Sequence, residues 1–495
     1  MDYLGIDVGT TNIKTAVYDE LGNLKSFASC PTPRQETINY VKYEYDPNEI
    51  FEHIVYCLQR IHEKCGSVKA LAVSSMGESG VLLDRELRPL TNAIPWFDPR
   101  TIPQSNKLIN AIGAERLFFI TGQFPSSKFG ITKLMWYKDN MPMIFEKAHH
   151  WMSINDYILY RLCGEIICDY SIAARTMAFD IRRLYWSKSI CTAAGINQGF
   201  FSKPVPGGSC IGTITQEVAD RTGLSNKILV VTGGHDHLCA MVGSGSLSEN
   251  SVLNSMGTSE VSVFVLQDPI TSNDMFINQC CISPHCSKRL YRVFSSMQAC
   301  GASIEWFLNS IGKSLQCEAK TLGIDKFCHF ENIAKNCQSD ESLLYFPLIR
   351  GSLLNPDAGG LFVGIRDNHR LENFAHAIID GLCCEFAWQT ENCSKILKTE
   401  IKSVQVVGGP ASSNFMMQRK ADISGLTVEI SPQQEAACYG ASLLAAIGVG
   451  DIDFEELGEK AKIASEKIIP NKNSKKFQRY CKIRKLVDEM NQMLV

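Results

Sequence analysis

The chain has 495 residues, with 49 Lys and Arg against 52 Asp and Glu, a formal net charge of −3, and 45% hydrophobic and 20% charged residues. The charge balance argues against nucleic acid as the main partner, because phosphate-backbone binding needs a basic surface. The composition excludes extensive disorder, and no apolar run reaches the roughly 18 residues of a membrane span.

Tyr3 to Ile6 and Lys14 to Tyr18 are apolar runs separated by Asp7-Val8-Gly9-Thr10-Thr11-Asn12. This predicts strand, tight turn and strand, with a third strand after the Asp19 to Asn23 turn. Asp46, Pro47 and Glu49 sit as N-cap, first helical residue and capping-box acid. Ile50, Ile54, Leu58 and Ile61 then recur at helical spacing, and Gly66 supplies a stop. Ala70 to Ser74 reads as a buried strand, and Ile228 to Val231 as another leading into Gly233-Gly234-His235-Asp236-His237. Gly and Ser cluster between Gly243 and Asn250, a predicted boundary. Beyond it, Val252 to Ser255 and Val261 to Leu266 flank Met256-Gly257-Thr258-Ser259, so the opening pattern recurs. Val404 to Val407 is a strand running into Gly408-Gly409-Pro410-Ala411-Ser412-Ser413-Asn414 and a helix from Phe415 to Ile423. A polar stretch, 471–476, precedes a final basic helix. Two lobes of similar α/β build with a cleft between them are expected.

The first turn places an acid at a strand end, a Gly that allows close backbone approach, two hydroxyls and an amide. Backbone N–H groups in such a turn cradle phosphate oxygens, and an acid such as Asp7 can hold hydrated Mg²⁺. Gly257-Thr258-Ser259 has the same chemistry, so the pair reads as a phosphate clamp. Asp236 follows a strand's carboxyl end, where α/β sheets place ligands, and could take a proton from a hydroxyl during phosphoryl transfer. A metal site from His235, Asp236 and His237 is disfavoured, since successive strand residues point to opposite faces. The glycines of the 408–414 loop would let a flat ring such as adenine approach; Ser413 or Asn414 as a helix cap is the plainer alternative. The segment Ser310 to Ser314 is rejected as a P-loop, because its first Gly would fall at Phe307 in a predicted helix. Cys280, Cys281, His285 and Cys286 match no common zinc spacing. No leader is read at the N-terminus and no CxxC pair occurs, so the 20 Cys are expected as reduced thiols in a cytoplasm.

Taken together, the segments resemble the FGGY family of carbohydrate kinases over nearly the whole chain. Asp7 to Thr11 is similar to that family's first phosphate motif, and Trp96-Phe97-Asp98-Pro99-Arg100-Thr101 to its W-x-D-x-R-T segment. Gly360 to Gly364 with Leu371 to Ala375 and Ala377 to Asp380 resembles its C-terminal signature. Gly408-Gly409 through Gly425 resembles the adenosine motif, and Glu435-Ala436-Ala437 with Gly440-Ala441 the segment that closes it. The resemblance implies two actin-like, ribonuclease-H-like domains, at 1–245 for sugar and 246–450 for nucleotide, with a helical tail at 451–495 packed on one lobe. ATP and Mg²⁺ are the implied cofactors, a small sugar (a ketose first) or a polyol the implied substrate, and self-association as a homodimer is allowed. By position, Asp236 resembles the catalytic base and Asp7 the acid near Mg²⁺. Thr10, Thr11, Asn12, Gly257 and Thr258 match phosphate contacts. Gly301 and Glu305 match positions beside the nucleotide, and Gly409 and Ser413 positions near adenosine. Glu78, Trp96 and Asp236 match substrate contacts of the glycerol kinase branch, with Asp98 and Arg100 expected to add polar groups to the same pocket.

Two departures stand out. Glycerol kinases carry Arg-Glu, and xylulose kinases Met-His, where this chain has Gly77-Glu78; the Glu is kept without its Arg. Lys128 occupies a position that the glycerol kinase branch fills with Tyr, so a cation could tune substrate choice there, replacing the missing Arg or favouring a carboxylate. The alternatives to a kinase are an actin-like ATPase of chaperone type and a catalytically dead sugar sensor.

Overall fold

Asp7 lies near the end of β1 (Asp2–Val8), the strand about which the first sheet is built. In this computed structural model the described residues are 1–37, 43–62, 68–287, 290–337, 341–352, 355, 357–431, 433, 435–460, 466–471 and 475–493. Gly66 and residues 472–474 of the polar stretch lie outside them.

β1, β2 (Asn12–Asp19) and β3 (Leu24–Pro31) form an antiparallel meander. β4 (Val68–Ser75) runs parallel to β1, β5 (Cys210–Thr213) is an antiparallel edge, and β6 (Leu229–His235) lies between them, parallel to β4. The order is β5-β6-β4-β1-β2-β3. β1 and β4 are covered on both faces, which is why each reads as a nearly continuous apolar run.

The second sheet repeats the plan. β7 (Ser251–Met256), β8 (Glu260–Leu266) and β10 (Tyr291–Met297) are antiparallel neighbours, with β9 (Cys281–Pro284) at that edge. β11 (Ser403–Val407) and β12 (Thr427–Ile430) add in parallel beside β7, and β13 (Glu466–Ile468) closes the other edge. The order is β9-β10-β8-β7-β11-β12-β13. Three antiparallel strands followed by two parallel ones therefore occur twice.

α1 (Pro47–His62) buries Ile50, Ile54, Leu58 and Ile61 against the first sheet, and the Asp46 carboxylate accepts from the Asn48 N–H at 2.8 Å. α2 (Asp236–Ser244) follows β6, α3 (Gly301–Asn309) follows β10, and α4 (Leu371–Leu397) is the long helix behind the second sheet. α5 (Asn414–Ser424) follows the Gly408-Gly409 loop. α6 (Ala436–Gly448) lies on the first sheet, although it comes late in the chain. The basic helix α7 (Lys475–Met493) docks on α4: the Tyr480 hydroxyl donates to Glu385 at 2.6 Å, and Lys476 to Asp380 at 2.8 Å. No helix among the described residues is long and apolar enough to cross a membrane.

The seat of α6 depends on missing side chains. A Cβ at Gly5 would fall 1.8 Å from the Cys438 carbonyl oxygen, and one at Gly440 1.7 Å from the Cys239 carbonyl oxygen. The contact is backbone on backbone, so nothing can rotate away. Gly5→Ala is expected to lower stability by about 1–3 kcal/mol, the usual cost of overpacking. A shift of the urea midpoint to lower concentration is the check, and an unmoved midpoint would show that α6 can lift without cost.

Candidate active site

The first turn is tied from behind. The Gly9 N–H donates to the Asn12 carbonyl at 3.1 Å, the Thr32 hydroxyl to the Gly9 carbonyl at 2.7 Å, and Arg34 to the Thr10 carbonyl at 3.0 Å. Thr10 is half-buried, while Thr11 and Asn12 are exposed. Asp7 accepts from the Ser74 hydroxyl at 3.0 Å. Burial and the neighbouring Asp236 carboxylate push its carboxyl up to about 7, against the opposing pull of Ser74 and Lys14. Lys14 itself is held by Glu435, just before α6, at 2.6 Å.

Asp236 opens α2, where the helix N-terminus favours negative charge. One carboxylate oxygen accepts from the His237 N–H at 2.6 Å and lies 3.5 Å from His235 Nδ1. His235 is buried, and burial, helped by Arg175 and His237, holds it well below the usual imidazole range, so it is neutral. One argument from sequence is corrected here. β6 ends at His235 and a helix begins, so strand alternation does not separate the two histidines; their rings lie 5.4 Å apart.

In the second lobe the Gly257 N–H donates to the Ser259 carbonyl at 2.8 Å. The start of α3 docks on this turn: Gly301 N–H reaches the Gly257 carbonyl at 3.0 Å, and Ala302 N–H the Thr258 carbonyl at 3.1 Å. A Cβ at Gly301 would come within 2.7 Å of that Gly257 oxygen. Gly408 has φ +103°, and a Cβ there would lie 2.0 Å from the Met256 carbonyl, so the 408–414 loop rests directly on the end of β7. Gly409 faces open space. Ser413 caps α5, accepting from Met416 N–H at 3.1 Å, and Glu305 is exposed on α3 beside Lys326 at 3.3 Å. Gly257, Thr258, Gly301 and the Gly408-Gly409 loop are thus brought together.

Beneath this group lies a network that the sequence reading missed. Lys420 of α5, fully buried, donates to Asn254 Oδ1 at 2.6 Å and Glu260 Oε1 at 2.9 Å. Cys300 donates to the other Glu260 oxygen at 3.3 Å.

Glu78 is buried with φ +63°, an uncommon conformation for a side chain of this kind. Lys133, also buried, donates to its backbone carbonyl at 2.9 Å. Arg175 binds its carboxylate through Nε at 2.9 Å and through Nη2, while Nη1 holds Gln123 Oε1 at 3.1 Å. Burial would raise the Glu78 carboxyl, but Arg175 and Lys128 outweigh it and hold it low. The Arg that the sequence lacks beside Glu78 is therefore supplied from 97 residues away. Gly77 leaves room for it, since a Cβ there would lie 2.8 Å from His235 and 2.9 Å from Arg175.

Lys128 is half-buried, its ammonium 5.2 Å from the Phe129 ring centroid. Burial and Arg175 lower its pKa, with Glu78 opposing. Trp96 is 42% exposed with its ring edge-on to Phe97, so it is not a core aromatic. Asp98 and Arg100 do not offer free polar groups to the pocket. Asp98 accepts from Arg100 Nε at 2.8 Å, and Arg100 also reaches Glu44 at 2.6 Å and stacks over Trp136. They brace the loop that carries Trp96.

Comparison with known proteins identifies the family. Residues 2–243 match the N-terminal domain, and residues 252–449 the C-terminal domain, of the FGGY family of carbohydrate kinases. The chain is 29% identical over 468 residues to a xylulose kinase of Bacillus subtilis (strain 168), covering 92% of this chain and 90% of that one. It is 25% identical over 463 residues to a gluconokinase of the same organism, covering 91% and 88%. The crystal structure of a ligand-bound xylulose kinase from Lactobacillus acidophilus superposes with a TM-score of 0.88 at 23% identity, covering 99% of each chain. The expected pair of actin-like, ribonuclease-H-like domains is thus the fold observed. With both of its domains matched in order along nearly the whole chain, the protein belongs to the FGGY family of carbohydrate kinases and is an ATP-dependent enzyme of that class.

Proposed function

We propose that the enzyme transfers the terminal phosphoryl group of ATP to a hydroxyl of a small sugar or polyol, with Asp236 as general base. The observation that carries this reading is the pair of carboxylates at one end of the first sheet: Asp7 on β1 and Asp236 just after β6 lie on either side of β4, in register at Ser74 and Ser75, and Asp236 helps to raise the Asp7 carboxyl. The donor set suits a divalent cation: two acids that repel each other are relieved by one, and Asp7 would hold Mg²⁺ there. Bound Mg²⁺ would neutralise charge on the nucleotide phosphates. Thr10, Thr11 and Asn12 of one turn, and Gly257 and Thr258 of the other, bind phosphate oxygens. Gly301, Glu305, Gly409 and Ser413 border the nucleoside. Glu78, Trp96 and Lys128 border the acceptor. The Asp236 oxygen left free by His237 takes the proton of the attacking hydroxyl as the new O–P bond forms.

The test is phosphate transfer from ATP across a panel headed by ketoses, as the xylulose kinases among the relatives suggest, with polyols and sugar acids beside them. ATP hydrolysis indifferent to every acceptor, or stimulated by peptides, would overturn the reading in favour of a chaperone-type ATPase. Sugar binding without turnover would identify a sensor.

Two further results are expected. Thr258→Val should raise the KM for ATP about tenfold, the effect of losing a hydrogen bond to a charged group, while the acceptor KM moves little. The reverse pattern would place the nucleotide elsewhere. An Asp7 carboxyl titrating at about 7 binds a cation only when ionised, so the apparent Mg²⁺ requirement should depend on pH. From pH 8 to pH 6 the ionised fraction falls about tenfold, and the Mg²⁺ concentration for half-maximal rate should rise by about that factor. A flat dependence would remove Asp7 from the metal site.

A further inference from the structure

α2, which begins at Asp236, lacks a cap of its own: His235 stands at the N-cap and its side chain makes no capping hydrogen bond. The strand before it is irregular. β6 follows β4 as far as Thr232, opposite Val73, and resumes with Gly234 opposite Ser74, so Gly233 is an extra residue in the ladder. Such a bulge re-aims the chain without fixing it. The support comes from another segment. The His235 N–H donates to the Ser171 hydroxyl oxygen at 2.9 Å. The Ser171 hydroxyl donates in turn to Asp169 Oδ1, which commits its proton and leaves its lone pairs to His235. The same Asp169 oxygen accepts from the Ser171 N–H at 2.8 Å and the Ile172 N–H at 3.1 Å, capping the helical turn Tyr170–Ala173. Both side chains are completely buried. A Cβ at Gly234 would fall 2.6 Å from Ser171 Oγ and 2.9 Å from Asp169 Oδ1, so the bulged backbone lies directly on this pair. The turn runs straight on into a second one, Ala174–Thr176, and there Arg175 binds the Glu78 carboxylate. One short segment, 169–175, thus touches the backbone beneath Asp236 and the side chain of Glu78.

We propose that Ser171 is a positioning residue for phosphoryl transfer: through the His235 N–H it sets the backbone from which Asp236 extends, and together with Arg175 it fixes the separation between the base and the acid that borders the acceptor. This rests on the reading of Asp236 as general base. A base acts only within hydrogen-bond reach of its proton, and a misplacement of about 1 Å can cost about 10²-fold in rate. Without the Ser171 hydroxyl the His235 N–H loses its acceptor in a buried place, and the bulge shifts to find another. Asp236, the next residue, moves with it. Glu78 keeps its bond to Arg175, and the two Gly-Thr turns are not touched, so binding of acceptor and ATP is preserved while the chemical step slows.

The experiment measures kcat and both KM values for the parent enzyme, Ser171→Ala, Asp236→Asn and the double variant, with the best acceptor of the panel and well below every melting transition. Expected for Ser171→Ala is a kcat about tenfold lower, with both KM values within about twofold of the parent's. The double variant separates positioning from support of the fold. A serine that acts through Asp236 has no base left to position in Asp236→Asn, so adding Ser171→Ala there should lower the residual kcat by less than about twofold. A serine that only props the fold costs the same factor in both backgrounds, and equal factors of about tenfold would overturn the proposal. An unchanged kcat in Ser171→Ala, or a loss carried by either KM, would overturn it as well. Where Asp236→Asn is slow and Ser171→Ala is not, the proposal alone fails and the base stands; where Asp236→Asn turns over like the parent, the base reading fails and takes the proposal with it. Should Ser171→Ala not fold, Ser171→Cys, close in shape but a weaker acceptor, takes its place in the same four measurements and is judged by the same results.

Discussion

Asp236→Asn should leave the enzyme folded and able to bind ATP, while phosphoryl transfer to any acceptor slows about 10²-fold or more, the range of a positioned base. The amide keeps the shape of the side chain and can still meet the His237 N–H, so the helix start is undisturbed. What is lost is the ability to take a proton. A second readout follows from the neighbouring acid. Burial and the Asp236 charge together lift Asp7 to about 7, so removing that charge should lower the Asp7 pKa. The pH dependence of the Mg²⁺ requirement of the residual activity should then weaken between pH 6 and 8, with the part of the shift due to burial remaining. Turnover near that of the parent enzyme would end the assignment of the base.

Lys420→Met should cost about 3–5 kcal/mol of stability, the penalty for leaving a buried charge without its partner. Glu260 is as deeply buried as Lys420, and its oxygens are otherwise met by Asn254 and Cys300. The same lysine ties α5, which follows the Gly408-Gly409 loop, to β7 and β8, which flank the Gly257-Thr258 turn. Loosening it should therefore raise the KM for ATP more than that for the acceptor. The double variant Lys420→Met with Glu260→Gln removes both charges and should recover much of the stability, because a neutral pair needs no ionic partner. Urea denaturation of the three variants checks this; a single-variant loss below about 1 kcal/mol would show that Glu260 is hydrated or protonated instead.

Local punctuation made much of the scaffold readable. Asp46-Pro47 starts a helix by its own chemistry, Ser413 caps another, and the two Gly-Thr turns stand out because strands on either side frame them. Asp7, Asp236 and Glu78 could be singled out because charge at or just past a strand end is conspicuous in a sequence, whereas Lys128, between two helices, stood out only against the family's pattern. Pairings across long separations left no such mark. Nothing in Ile172-Ala173-Ala174-Arg175 announces that its guanidinium will meet Glu78, and Lys420 sits in an ordinary helical stretch. The Asp98 and Arg100 motif was visible, but which of its groups remain free is decided by the Glu44 and Trp136 contacts, and these come from elsewhere in the chain.

The position of α6 bears on the order in which the molecule can be made. Its Cys438, Tyr439, Ala441, Leu444 and Ala445 fill the apolar face formed by Tyr3, Ala16, Tyr18, Ala70, Ala72 and Val231. During synthesis that face emerges first and its cover about 200 residues after the first sheet is complete. A nascent chain ending near residue 245 would present an uncovered sheet face to water and to other nascent chains. Productive folding of the first half must then wait for the second, and chaperone dependence and aggregation on truncation are the costs of placing the cover so late.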